Sequence, residues 1–121
     1  MIRYAFVFCT LANAAQAQSV KLEGEEIGIL LSGNTAVGVL DGVNYRQFFG
    51  GDGVTIYVQE DARSTRGEWR IVDDEYQSLW PNDADWEGWY VMEYAGQWFW
   101  VSKTTPPTLF EVLEGRQLVA Q

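Results

Sequence analysis

The sequence predicts a mainly β protein: a small antiparallel meander barrel of seven or eight strands, with one short N-terminal helix, following a signal peptide. Three observations carry this prediction. Turn signals recur about every 8–12 residues after Asn34. Between them, polar and apolar residues alternate with period 2. Only one segment has helical spacing. Strands in linear order joined by tight turns favour a meander, and closing so small a sheet into a barrel removes its edges. A two-sheet sandwich would use the same strands and stays open as the alternative.

The first segment reads as an address. Arg3 precedes a mostly apolar run over residues 4–15, and Ala15-Gln16-Ala17 places small residues at the −3 and −1 positions of a cut before Gln18. Residues 1–17 are therefore expected to be a signal peptide, and residues 18–121 a single β-barrel domain. The expected localisation is periplasmic or secreted. The apolar run is shorter than the roughly 20 residues needed to span a bilayer, so no membrane span is expected in the mature form.

Residues 21–32 carry Ile27, Leu30 and Leu31 at i, i+3, i+4 spacing, with Glu25 and Glu26 near the start, where acidic groups suit the helix dipole. Gly33-Asn34 supplies a stop. Gly24 and Gly28 weaken this helix, so it must lean on the rest of the fold, plugging or capping one barrel end. Strands are expected at 35–40 and 43–49, joined by the hairpin signal Asp41-Gly42. After the turn Gly50-Gly51-Asp52-Gly53, Val54, Ile56 and Val58 alternate with Thr55, Tyr57 and Gln59. The aliphatic trio is the expected core face. Residues 60–66 form a polar turn. In 67–72, Trp69 and Ile71 should face the core, because Glu68 and Arg70 mark the other face as outward. Residues 76–80 stop at Pro81-Asn82-Asp83. Strands 86–94 and 97–102 meet at Ala95-Gly96, and 109–113 ends before Gly115.

Composition narrows the chemistry. With 47% hydrophobic and 15% aromatic residues, the chain is not intrinsically disordered. It has no His and one Cys, Cys9, which leaves with the signal peptide. The mature domain is then expected to lack disulfides, and no catalytic residue, metal site or cofactor is assigned. A Ser nucleophile would need a base that the sequence does not offer. Asp83-Ala84-Asp85 starts like a calcium loop, but the closing acidic residue is misplaced, so a solvated turn is expected. Asp73-Asp74-Glu75 reads as an exposed turn. A carboxylate-dependent hydrolase rests on such acidic residues alone and is the remote alternative to a non-enzyme. The formal charge of −9, one unit lower once Arg3 is removed, argues against nucleic-acid binding.

The most unusual feature is the aromatic set around Gln97-Trp98-Phe99-Trp100-Val101. Trp98 and Trp100 share one face of a strand, Phe99 and Val101 the other. One face fills the core; the other must be covered by the helix, a partner or a ligand, or form an exposed patch of the kind that marks binding sites. The candidate ligand-binding residues are Trp86, Trp89, Trp98, Trp100 and Tyr94.

The string Leu31-Ser32-Gly33-Asn34-Thr35-Ala36-Val37-Gly38 resembles the opening of a family of small secreted bacterial proteins of unknown function. Tyr45-Arg46-Gln47-Phe48-Phe49, Asp52-Gly53, Gly67-Glu68-Trp69-Arg70-Ile71, Leu79-Trp80-Pro81 and Phe110-Glu111-Val112-Leu113-Glu114-Gly115 are also similar, so the likeness spans residues 25–115. Such proteins look like relatives of the calycins, the barrel group that includes lipocalins. The resemblance implies a calycin-like barrel and is silent about chemistry. Many members carry a Cys pair near the Trp80 region; here Gln77 and Gly88-Trp89 stand in those places, which argues against a disulfide-dependent role.

The expected function is that of an exported, non-enzymatic barrel binding a small apolar or aromatic-stacking ligand, such as a lipid or a sugar face. The alternative is an envelope protein-interaction module, for example an inhibitor, steered by its negative charge to a basic protein partner.

Overall fold

The computed structural model describes residues 18–119. The expected signal peptide, with Arg3 and Cys9, lies outside the described residues. Asp41-Gly42 reverses the chain with both residues at positive φ (50° and 80°), the backbone a two-residue hairpin turn requires. It joins β2 (Thr35–Leu40) to β3 (Val43–Phe49), which pair along the whole of β2. β4 (Val54–Gln59), β5 (Thr65–Val72), β6 (Glu75–Leu79), β7 (Glu87–Tyr94), β8 (Gln97–Val101) and β9 (Thr108–Leu113) follow, each antiparallel to its predecessor. β9 returns to pair with β2, so β2 to β9 form a closed up-and-down barrel of eight strands. The closed ring decides between the barrel and the sandwich.

α1 (Gly24–Leu31) starts later than the spacing predicts. Val20–Lys21 form a short strand, β1, on β7, and the Leu22 amide donates to Val91 O at 2.8 Å, so this stretch is held extended. The helix begins where Glu26 Oε1 accepts from the Glu23 amide (2.8 Å) and Asp74 Oδ1 accepts from the Gly24 amide (2.8 Å). It ends at Gly33 (φ 80°), with Asn34 Nδ2 donating to Leu30 O. Ile27 and Leu31 are fully buried and join Phe49, Trp69, Val91, Trp100 and Phe110 in one core. The helix therefore stops one end of the barrel. It lies against β5 and β6, so it does not cover Phe99 and Val101, the outer face of β8.

The aromatic core is held by edge and stacking contacts. Phe49 meets Trp69 and Tyr76 edge-on at 5.4 and 5.6 Å, and Trp100 stacks on Phe110 at 4.1 Å. Trp69 and Ile71 point inward, and the Trp69 indole N–H donates to Gly50 O at 2.8 Å. On the outside, residues after β9 strap the barrel. Thr35 Oγ1 donates to Gly115 O (2.7 Å) and accepts from the Gln117 amide (2.9 Å), while Arg46 donates to Gln117 O (2.7 Å).

The face assigned to β4 must be corrected. Val54, Ile56 and Val58 pair with Glu68, Arg66 and Arg46 and share their outward face, half-buried on the surface. Thr55, Tyr57 and Gln59 point into the barrel. The period-2 alternation is present, with the opposite face turned inward. The interior at this end is polar and aromatic, so the usual rule of apolar residues inward runs backwards here.

Candidate ligand cavity at the open end

Opposite α1, the barrel opens into a cavity of about 480 Å³. That lies within the range of roughly 300–1,000 Å³ typical of small-molecule sites. Its walls follow from strand register. β3 supplies Tyr45 and Gln47, β4 Tyr57 and Gln59, β6 Tyr76 and Ser78, and β7 Glu87 and Trp89. Thr65, Trp80, Trp100, Thr108 and Leu40 complete the lining. Tyr76 and Trp100 belong both to the lining and to the buried core, so they form the floor that separates the cavity from the closed end.

Two inward glycines make this space. A Cβ on Gly38 would come within 2.8 Å of the Tyr45 hydroxyl, and one on Gly67 within 2.6 Å of the Trp80 ring. Without those side chains the Tyr45 and Trp80 rings pack directly over the two glycines. Gly67→Ala is expected to lift Trp80 and cost about 1–3 kcal/mol, because the neighbouring Leu79 carbonyl also stands 2.8 Å from the new methyl. Urea denaturation checks this; a neutral Gly67→Ala would contradict the close packing of the indole on Gly67.

The polar groups form a connected set. Gln47 Nε2 donates to Thr55 Oγ1 (2.9 Å) and to the Tyr76 hydroxyl (2.8 Å), and Thr55 Oγ1 passes a hydrogen bond to Phe48 O. The Trp100 indole N–H donates to the Tyr45 hydroxyl at 3.1 Å. Tyr57 stacks on Tyr45 at 5.5 Å and meets Trp80 edge-on at 6.0 Å. Burial pushes the Tyr76 phenol up to about 12, with hydrogen bonds from Ser78 and Gln47 working against it. Burial also raises Tyr45 and Tyr57, opposed by Trp100 and Gln59 respectively. These phenols stay protonated at neutral pH, so they act as hydrogen-bonding and stacking surfaces rather than as bases.

Of the sequence candidates, the structure brings Trp89 and Trp100 to this cavity. Trp98 faces inward but packs toward the core rather than lining the cavity. Trp86 lies outside, under the Arg70 guanidinium at 4.0 Å, and Tyr94 is exposed at the far end of β7. Tyr45, Gln47, Tyr57 and Tyr76 escaped sequence reasoning. Their signal was the spacing of Tyr with Gln or Ser two residues on: Tyr45 and Gln47, Tyr57 and Gln59, Tyr76 and Ser78. Such pairs share a strand face and fit a polar cavity as well as they fit solvent. The Asp83 side chain caps its own turn, accepting from the Trp80 amide at 3.1 Å.

Among the described residues, no helix is long and apolar enough to cross a membrane, and no three His, Cys, Asp or Glu side chains cluster to hold a metal. No family model, curated protein or solved structure matches the chain. The geometry of the cavity therefore carries the functional argument.

Proposed function

We propose that the protein is a non-enzymatic, exported binding barrel that takes a small molecule with a flat or apolar body into its open end. One observation carries this reading: a barrel stopped at one end by α1 and an aromatic core, with a Tyr- and Trp-walled cavity at the other. Aromatic walls with a few fixed amides and hydroxyls are the make-up of small-molecule sites generally. The calycin-like character implied by the sequence resemblance supports the same reading. Export through residues 1–17 would place the binding in the periplasm or outside the cell.

The test is a fluorescence titration with N-phenyl-1-naphthylamine, an uncharged flat dye. The dye should bind with enhanced emission. Trp89→Ala and Tyr57→Ala should each weaken it by about tenfold, the loss of one stacking wall, while Tyr94→Ala should not. A dye that fails to bind, or binds equally well to all three variants, contradicts the proposal.

A second reading, docking to a protein partner, draws on the outer face. Val39 and Leu109 are exposed there, near Phe99 and Val101. Leu109→Asp would abolish such docking and leave dye binding intact.

A further inference from the structure

We propose that the cavity selects small organic cations: a positively charged nitrogen carried on a flat or apolar body. This rests on the binding reading above and names the ligand class for the same site. Among the described residues, Glu87, exposed at the mouth, is the one charged side chain in the lining. Glu87 pairs with Ser78, and Trp89 follows it two residues later on the same inward face. Trp80 stands two residues beyond Ser78 on the neighbouring segment, with Tyr57 against its edge at 6.0 Å. A carboxylate thus shares one wall of the mouth with three aromatic rings. Aromatic faces carry negative charge density and attract a desolvated cation, and the carboxylate adds a direct charge partner.

The remaining polar groups point the same way. Gln47 gives both amide protons to Thr55 and Tyr76, which leaves its Oε1 to accept from a ligand. An anion would have to leave water with no cationic partner in the lining, a costly transfer. Around the mouth, the β2–β3 turn carries Asp41, the β4–β5 loop Glu60 and Asp61, and the β6–β7 loop Asp83 and Asp85; against them stand Arg63 and Lys103. This field reaches the wall, since Asp41 and Glu87 each help to raise a cavity phenol, Tyr57 and Tyr76 respectively. It would draw cations toward the opening. A neutral lipid would make no use of Glu87, and a neutral sugar could hydrogen-bond to it but would gain nothing from the charge of the rim.

Calorimetric titrations with benzyltrimethylammonium, benzyl alcohol and benzoate test the proposal. The cation should bind about tenfold more tightly than the alcohol at low salt, and benzoate should not bind. Glu87→Gln should remove most of that preference. Glu111→Gln, an equal change of net charge on the outer face, should leave it in place. The proposal is overturned if the cation binds no better than the alcohol, or if both variants reduce the preference equally. If N-phenyl-1-naphthylamine still binds in that case, the cavity remains a small-molecule site and only the ligand class falls. If neither dye nor cation binds, both readings fall.

Discussion

Trp69→Ala is expected to cost about 3–5 kcal/mol of folding stability, the range for deleting a buried indole. Total stability for such a domain is about 5–15 kcal/mol, so this single change should bring it near unfolding. The indole sits between Phe49 and Tyr76, with centroids at 5.4 and 6.3 Å, and donates to Gly50 O. Its removal leaves a void that α1 and the barrel wall cannot both collapse into, because Ile27, Leu31 and Phe49 are already fully buried around the same core. Leu109→Ala, on the outer face with 43% of its surface exposed, should cost about 1 kcal/mol or less. Guanidinium denaturation of the two variants checks the contrast. Equal losses would mean that inner and outer faces are not as described.

Trp100→Ala should show a loss of similar size, about 3–5 kcal/mol, together with a functional defect that Trp69→Ala lacks a direct route to. Trp100 stacks on Phe110 at 4.1 Å, tilts against Tyr76 at 5.2 Å and donates to the Tyr45 hydroxyl. It is both core and cavity floor. Trp100→Phe separates the two roles. The ring keeps much of its packing, but Tyr45 loses its donor. Because that hydrogen bond holds the Tyr45 phenol down against burial, Trp100→Phe should raise the Tyr45 pKa further. Spectrophotometric titration of the phenols reads this out. An unchanged Tyr45 would mean that the indole does not serve the hydroxyl.

The architecture was legible because turns and strand lengths are local. Asp41-Gly42 and Ala95-Gly96 adopt positive φ at both residues, and such sequence pairs announce their hairpins without tertiary help. Trp69 was placed by its charged neighbours Glu68 and Arg70. The same reasoning failed on Val54, Ile56 and Val58, where the alternation is clear but the lower-polarity face looks outward. Which face of a strand turns inward depends on what the interior holds. At the open end it holds phenols, amides and hydroxyls around a cavity, and nothing within β4 reveals that. The site was half visible for a related reason. Trp89 and Trp100 stood out as large apolar groups, whereas Tyr45, Tyr57 and Tyr76 each stand two residues from a Gln or Ser, a pattern that fits solvent as well as a polar cavity. Trp86 and Tyr94 are close to Trp89 in sequence, yet Trp86 lies just before β7 under Arg70 and Tyr94 is exposed at the end of β7. The short β1 was hidden because Val20–Lys21 gains its extended form only from β7, about 70 residues away.

The open end of the barrel, and no other surface, is expected to receive the ligand. The six Trp indole N–H groups give six reporters spread over the molecule. A ¹H–¹⁵N spectrum of the labelled protein, recorded during titration with N-phenyl-1-naphthylamine, reads them individually. The indole resonances of Trp80, Trp89 and Trp100 should move together with one affinity, while those of Trp69 and Trp86 stay in place. Shifts centred on Trp86, or dye fluorescence with no movement at Trp89 and Trp100, would place the ligand elsewhere and contradict the account.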